Sequence, residues 1–314
     1  LHDLLTLPKP DQDRPALIDG ARHWSFRMLA AEVEKLAGAV RARGIERGDR
    51  VAILLPKCLE ECAAIFAASR ADAVFVPINP VLKAQQIRHI LIDSGAALLI
   101  TTLEQREKLG AAIDGIDGLS ILDVEDCADD HAPAPVARAI GQDLAAILYT
   151  SGSTGAPKGV MLSHSNLIAG TRIVRSYLSI TAEDRLLSVL PFSFDYGLNQ
   201  LLTVVEQGAT IALFTFQMGD QIVRALAKHE ITGLAGVPTI WAILTKAAPS
   251  LARTPLPHLR YITNSGGAVP EATVRRLREI LPETQIFLMY GLTEAFRSTS
   301  LPPAEIDRRP TSIG

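Results

Sequence analysis

Cysteine is scarce. Cys58, Cys62 and Cys127 are the only three in 314 residues, an odd number that argues against a disulfide framework. Cys58 and Cys62 stand at helical spacing, but two soft ligands alone do not make a zinc site. The seven histidines show no ligand spacing, and His164, in Leu-Ser-His-Ser-Asn, reads as part of a helix cap. A surplus of charge is missing too: the formal net charge is −3 with both signs interspersed, which argues against nucleic acid or an anionic membrane surface as partner. No apolar run approaches the roughly 18 to 20 residues of a membrane span. The opening Leu1-His-Asp-Leu-Leu-Thr-Leu-Pro lacks the basic and apolar regions of a signal peptide, so a soluble cytoplasmic protein is the expectation. Two motifs are also absent. No Gly-Lys pair occurs anywhere, which rules out a P-loop, and Gly152-Ser-Thr-Gly155 is one residue short of a hydrolase nucleophile elbow.

What is present is an alternation of short apolar runs with longer helical stretches, the pattern of βαβ units and largely parallel sheets. Strands are predicted at Val51–Leu55, Val74–Ile78, Ala97–Thr101, Ala145–Tyr149, Arg185–Leu190, Thr210–Phe214, Ile231–Gly236, Leu259–Asn264 and Gln285–Tyr290. Leu29, Val33, Leu36 and Val40 give Phe26–Arg43 an amphipathic face that stops at Gly44. Pro270 and Glu271 mark the start of a helix running to Ile280. Cys127–Gln142, rich in Asp, Ala and Pro, reads as an irregular connection.

The densest signal is Tyr149-Thr-Ser-Gly-Ser-Thr-Gly-Ala-Pro-Lys158-Gly159, between the apolar runs Leu144–Leu148 and Val160–Leu162. Gly152, Gly155 and Gly159 let main-chain N–H groups approach an anion closely. Thr150, Ser151, Ser153 and Thr154 add hydroxyl donors, and Lys158 adds a point charge on a flexible stem. The combination suits a polyphosphate. A flexible linker is the alternative on composition, weakened by the strand on each side.

These residues resemble the phosphate loop of the adenylate-forming superfamily: acyl-CoA synthetases, luciferases and the adenylation domains of nonribosomal peptide synthetases. Further segments in the family's order are Leu190-Pro-Phe-Ser-Phe-Asp-Tyr-Gly197, Gly236-Val-Pro-Thr239, Asn264-Ser-Gly-Gly-Ala268 and Tyr290-Gly-Leu-Thr-Glu294, so the resemblance covers essentially the whole chain. It implies an α/β fold with two helix-flanked subdomains of a large N-terminal domain, about 1–50 plus 181–314 and 51–180, the second carrying the phosphate loop. The family's small β-barrel and C-terminal domain, with the adenylation lysine, have no counterpart in this chain, which reads as truncated and, alone, as inactive or impaired.

The resemblance implies that a carboxylate attacks the α-phosphate of ATP, expels pyrophosphate and leaves an acyl adenylate, whose acyl group then passes to a thiol of coenzyme A or of carrier-protein phosphopantetheine. The partner is thus a small-molecule carboxylate; room for a homo-oligomer remains. It assigns Thr150, Ser151, Gly152, Ser153, Thr154, Gly155, Lys158 and Gly159 to the phosphates, with Lys158 at the β and γ groups. Tyr290 would stack on adenine with Gly291 beside it, Thr293 would bind the α-phosphate, and Glu294 would bind Mg²⁺. Gly266, Gly267 and Ala268 are candidates for the wall of the adenine and acyl pockets. Without the resemblance, Tyr290–Glu294 would read as a strand ending in a helix cap and Gly266–Ala268 as a plain turn. Val237 and Trp241 either line the far side of the pocket or belong to the core.

One departure matters. Acyl-CoA synthetases commonly carry Leu-Pro-x-x-His-x-x-Gly, and the histidine position here is Phe194. Ser193-Phe-Asp195 instead resembles amino-acid-activating members, in which the aspartate pairs with the substrate's amino group. An unpaired carboxylate in an acyl pocket costs several kcal/mol or is protonated, on the order of the penalty for any buried charge. Asp195 therefore either meets a cationic substrate or turns away to solvent or a helix N-terminus. A third reading takes the chain as a nucleotide-binding piece without turnover.

Overall fold

The computed structural model describes residues 1–7, 9, 11–127, 132–150 and 157–314. The first part of the chain forms β1 (Pro15–Asp19), β2 (Arg22–Ser25), α1 (Phe26–Ala42), β3 (Arg50–Leu54), α2 (Leu59–Arg70), β4 (Val74–Pro77), α3 (Ala84–Ser94), β5 (Ala96–Thr101), α4 (Leu103–Leu109) and β6 (Ser120–Asp123). Then come β7 (Leu144–Thr150), β8 (Lys158–Ser163), α5 (His164–Leu178), β9 (Arg185–Ser188), α6 (Asp195–Gln207) and β10 (Thr210–Leu213). The rest is α7 (Gly219–Lys228), β11 (Gly233–Gly236), α8 (Pro238–Lys246), β12 (Tyr261–Asn264), α9 (Glu271–Ile280), β13 (Gln285–Leu292) and β14 (Phe296–Leu301).

Two sheets result. One has eight strands in the order β14-β13-β12-β11-β9-β10-β1-β2, the other six in the order β6-β5-β3-β4-β7-β8. Both are parallel except at their edges, where β2, β14 and β8 each run antiparallel to the neighbouring strand. This is the helix-flanked, largely parallel architecture expected, and no strand among the described residues closes a barrel. The edge strands β2 and β14 and the short strands β1 and β6 were not in the sequence reading.

Apolar clusters show how the layers stack. One joins α1, α2, α5 and α6 to both sheets through Leu29, Ile65, Leu167 and Leu202 with Val51, Leu98, Leu186 and Ile211. A second packs α7, α8 and α9 on the other face of the eight-stranded sheet, and a third packs α3 and α4 on the other face of the six-stranded one. Central strands are thus covered on both faces, which is why Val51–Leu54 is a continuous apolar run rather than an alternation. Local signals set the helix ends. Ser25 accepts the Met28 N–H at the start of α1, Ser163 and Asn166 form a capping box at α5, and Gly95 closes α3 in a left-handed conformation (φ +59°).

Candidate active site

Parallel strands β9, β11, β12 and β13 end at one edge of the eight-stranded sheet, the place where ligands bind in open α/β sheets. β9 leads to Leu190–Asp195, β11 to Val237, β12 to Ser265–Ala268, and β13 carries Tyr290–Leu292 into Thr293 and Glu294. The register Gly236↔Asn264↔Leu288 sets these turns side by side.

Gly266 holds φ +80°, and a Cβ there would lie 3.3 Å from Val237 Cγ1 and 3.5 Å from the Phe194 ring. Phe194, Val237 and Gly266 are therefore neighbours, and a side chain at Gly266 would be strained in backbone as well as crowded. Gly266, Gly267 and Ala268 are exposed. Trp241 lies in the core at 2% exposure; its indole N–H donates to Asn264 Oδ1 at 2.9 Å, and Asn264 Nδ2 donates to the Gly267 carbonyl at 2.9 Å. Trp241 thus braces the glycine turn from behind. The Tyr290 ring is 43% exposed, Gly291 is half-buried, Thr293 is buried and Glu294 is exposed. No helix follows Glu294: the segment turns into the β13–β14 hairpin.

That hairpin delivers a residue the sequence reading missed. A register shift at Tyr290/Gly291 and a left-handed Phe296 (φ +53°) let the consecutive residues Phe296 and Arg297 both face inward. Arg297 Nη2 lies 3.2 Å from Asp195 Oδ2, with both side chains 3% exposed. Its guanidinium sits 4.4 Å above the Tyr196 ring and donates through Nη1 to Ser265 Oγ at 3.2 Å. Tyr196 is fixed in turn by its hydroxyl, which shares a hydrogen with Thr263 Oγ1. Asp195, on the first turn of α6, accordingly faces a cation supplied by the protein. Burial pushes its carboxyl up, opposed by Arg297 and by the backbone N–H groups of Tyr196 and Asp195. The contact is close but poorly aligned: Asp195 Oδ2 and Arg297 Nε and Nη2 make no hydrogen bond among the described residues. Such groups retain capacity for a polar ligand.

Thr150 and Lys158 pair across the β7–β8 ladder, as do Tyr149 and Gly159, so the flanks of the expected phosphate loop lie opposite each other on two antiparallel strands. Lys158 is exposed and Gly159 half-buried. Ser151, Gly152, Ser153, Thr154 and Gly155 lie outside the described residues. The hairpin belongs to the six-stranded sheet, and α5, which follows β8, returns to the other half by packing Gly170 against the Phe296 ring.

A second acid and base, buried Glu61 and half-buried Lys57, sit between the sheets. Lys57 Nζ donates to the Ser188 carbonyl at 3.3 Å, to Ser188 Oγ at 2.9 Å and to the Leu190 carbonyl. Burial lowers its pKa to about 8 and raises that of Glu61, one turn further on, to about 8. Both line a cavity of about 350 Å³ at the carboxyl ends of β3, β4, β9 and β10, with Ile78, Val81, Pro191 and Phe214. Neither Lys57 nor Arg297 had a signature in sequence, because each is one basic residue among 31.

No cluster of three or more His, Cys, Asp or Glu able to hold a metal occurs among the described residues. Glu294 offers a single exposed carboxylate. That suits Mg²⁺ arriving with ATP, which binds through one or two carboxylates plus phosphates and water, better than a protein-built cage. No described helix is long and apolar enough to cross a membrane.

Comparison with known proteins agrees with this geometry. The structure is similar to the complex of VinN with L-aspartate, with a TM-score of 0.88 and 29% identity, covering 100% of this chain and 81% of that one. A feruloyl-CoA synthase of Amycolatopsis sp is 34% identical over 287 residues, 89% of this chain and 56% of that protein. Gramicidin S synthase 2 of Aneurinibacillus migulanus is 31% identical over 272 residues, 86% of this chain and 6% of that protein. The chain thus spans little more than half of one relative and a small part of the other. Residues 8–314 match the AMP-binding enzyme family, and the chain belongs to it.

Proposed function

We propose that this chain is the nucleotide- and acid-binding part of an AMP-forming ligase whose substrate is an amino acid with a second acidic group. Asp195 and Arg297 carry the reading: a buried carboxylate and a buried guanidinium, each with unused hydrogen-bonding atoms, beside the turn formed by Phe194, Val237 and Gly266. A substrate ammonium would answer Asp195 and a side-chain carboxylate would answer Arg297. A fatty or aryl tail would leave the two charges to each other, with Asp195 Oδ2 and Arg297 Nε and Nη2 still without hydrogen bonds, and an unmatched buried polar atom costs about 1–3 kcal/mol. The similarity to VinN with L-aspartate supports the amino-dicarboxylate class, and the similarity to a peptide synthetase supports a carrier-protein thiol as acceptor.

In this reading the substrate's reacting carboxylate oxygen attacks the α-phosphorus, the bond to the β-phosphate oxygen breaks, and pyrophosphate leaves with the electron pair. Negative charge collects on the α-phosphoryl oxygens, where donors fixed beforehand are most effective. Thr293 donates there from its buried place behind the hairpin, Lys158 balances the departing phosphates, and the exposed Tyr290 face takes the adenine. Mg²⁺ at Glu294 would supply charge neutralisation to the phosphates. The acyl group then moves from AMP to the thiol sulfur, releasing AMP.

ATP–pyrophosphate exchange by the full-length protein against aspartate, neutral amino acids, ferulate and a fatty acid tests this. Exchange with aspartate-like acids that is lost in Asp195→Asn is the expected result; preference for ferulate or a fatty acid, unchanged by Asp195→Asn, overturns it. The feruloyl-CoA synthase similarity is the specific observation favouring that second outcome, with coenzyme A as acceptor.

A further inference from the structure

Outside the site just described, one group of side chains grips the phosphate hairpin by both stems. Helix α3 lies on the six-stranded sheet through Ile87, Ile90 and Leu91, and His89 and Asp93, one turn apart, project beside the hairpin. The Tyr149 hydroxyl on the entering strand donates to Asp93 Oδ2 at 2.6 Å. On the leaving side, His89 Nε2 lies 3.1 Å from the Pro157 carbonyl oxygen and donates to it. The His89 ring meets the Tyr149 ring edge-on, with centroids 6.5 Å apart at 83°.

The sequence of the hairpin fits this grip. Proline has no N–H, so the carbonyl of Pro157 is its only backbone hydrogen-bonding group. His89 serves it where the chain leaves the ladder. Gly159, paired with Tyr149, lets the phenol ring lie flat across β8: a Cβ there would fall 2.6 Å from Ile147 Cγ2 and 3.1 Å from the Tyr149 ring. The contacts are half-buried or exposed, and only the Tyr149 ring also packs against the apolar core.

We propose that His89 and Asp93 are positioning residues for ATP, holding Tyr149 and Pro157 so that Thr150 and Lys158 emerge from the ladder at a set separation. This rests on the adenylating reading above. Neither residue touches substrate; they act through the stems.

The test is ATP–pyrophosphate exchange and equilibrium ATP binding by the full-length protein carrying His89→Ala, Tyr149→Phe or Asp93→Ala. Each loses one surface hydrogen bond, so KM for ATP is expected to rise roughly fivefold, with KM for the carboxylate and the melting temperature unchanged. His89→Gln, which keeps a side-chain N–H donor, is expected to restore most of the ATP affinity. Tyr149→Phe combined with Asp93→Ala is expected to be no worse than either alone. Wild-type KM for ATP in both His89→Ala and Tyr149→Phe overturns the proposal while leaving the adenylating reading intact. Equal rises in both KM values with a lowered melting temperature overturn it in favour of plain structural support. A wild-type protein that neither binds ATP nor exchanges pyrophosphate removes the parent reading, and this proposal with it.

Discussion

Asp195 with Arg297 and Lys57 with Glu61 are both acid–base pairs taken out of water, one under the turns of the eight-stranded sheet and one between the two sheets. They differ in what each base can do. A guanidinium does not lose its proton in a protein, so Arg297 brings a permanent charge inside and holds Asp195 towards the ionised form against the cost of burial. A buried ammonium can deprotonate, and burial moves Lys57 and Glu61 from opposite directions to about 8. The first pair keeps a fixed dipole beside the candidate substrate turn; the second can shed its charges, with Lys57 still donating to the Ser188 and Leu190 carbonyls. Fixed charge belongs where a charged ligand must be recognised, and adjustable charge suits a seam between two halves.

Removing one partner breaks the comparison most sharply. Arg297→Leu strands the Asp195 carboxylate and is expected to cost about 3–5 kcal/mol in urea unfolding, as for other half-removed buried pairs. Asp195→Asn comes next: losing one charge-assisted contact lowers kcat/KM for an amino-acid substrate by about 10- to 100-fold, with little change in KM for ATP. Lys57→Met is milder, about 1–3 kcal/mol, because what it leaves behind is unpaired carbonyls rather than a stranded ion.

A pH dependence sharpens the comparison from another side. Glu61 titrates near 8 when folded and near 4.5 otherwise, so the folded state holds a proton the unfolded chain gives up, and stability falls as pH rises between those values. Lys57, lowered from 10.5 to about 8, adds stability as pH rises between those two values. A minimum near pH 8 is the sum. Unfolding of Glu61→Gln at both ends of the lower window should show the falling limb gone; an unchanged profile would mean that Glu61 does not titrate as the geometry implies.

Much of the fold was legible because it is local. All nine strands read from the sequence are present, and α1 and α9 begin and end within a residue or two of their signals. The missed strands explain themselves. β2 is Arg22-His-Trp-Ser25 and β14 is Phe296-Arg-Ser-Thr-Ser-Leu301, short or polar segments that become strands only because a sheet edge offers partners. In the site, the glycine turns and the Tyr290–Glu294 segment stood out as motifs, whereas Trp241 could not be assigned to pocket or core until its indole was seen bonded to Asn264.

The chain's own order of residues determined the α/β class, the helix ends and the strands flanking the hydroxyl- and glycine-rich segment, since each depends on neighbours a few positions away. What Asp195 faces was decided by tertiary structure alone. Its partner is about a hundred residues distant in sequence, brought there by an antiparallel edge strand with a register shift and a left-handed phenylalanine. The same holds for Lys57 against Ser188 and for α3 against the β7–β8 hairpin. Pairings of this kind depend on which strands lie side by side, and that is settled by burial across the whole molecule, not by any window of the sequence.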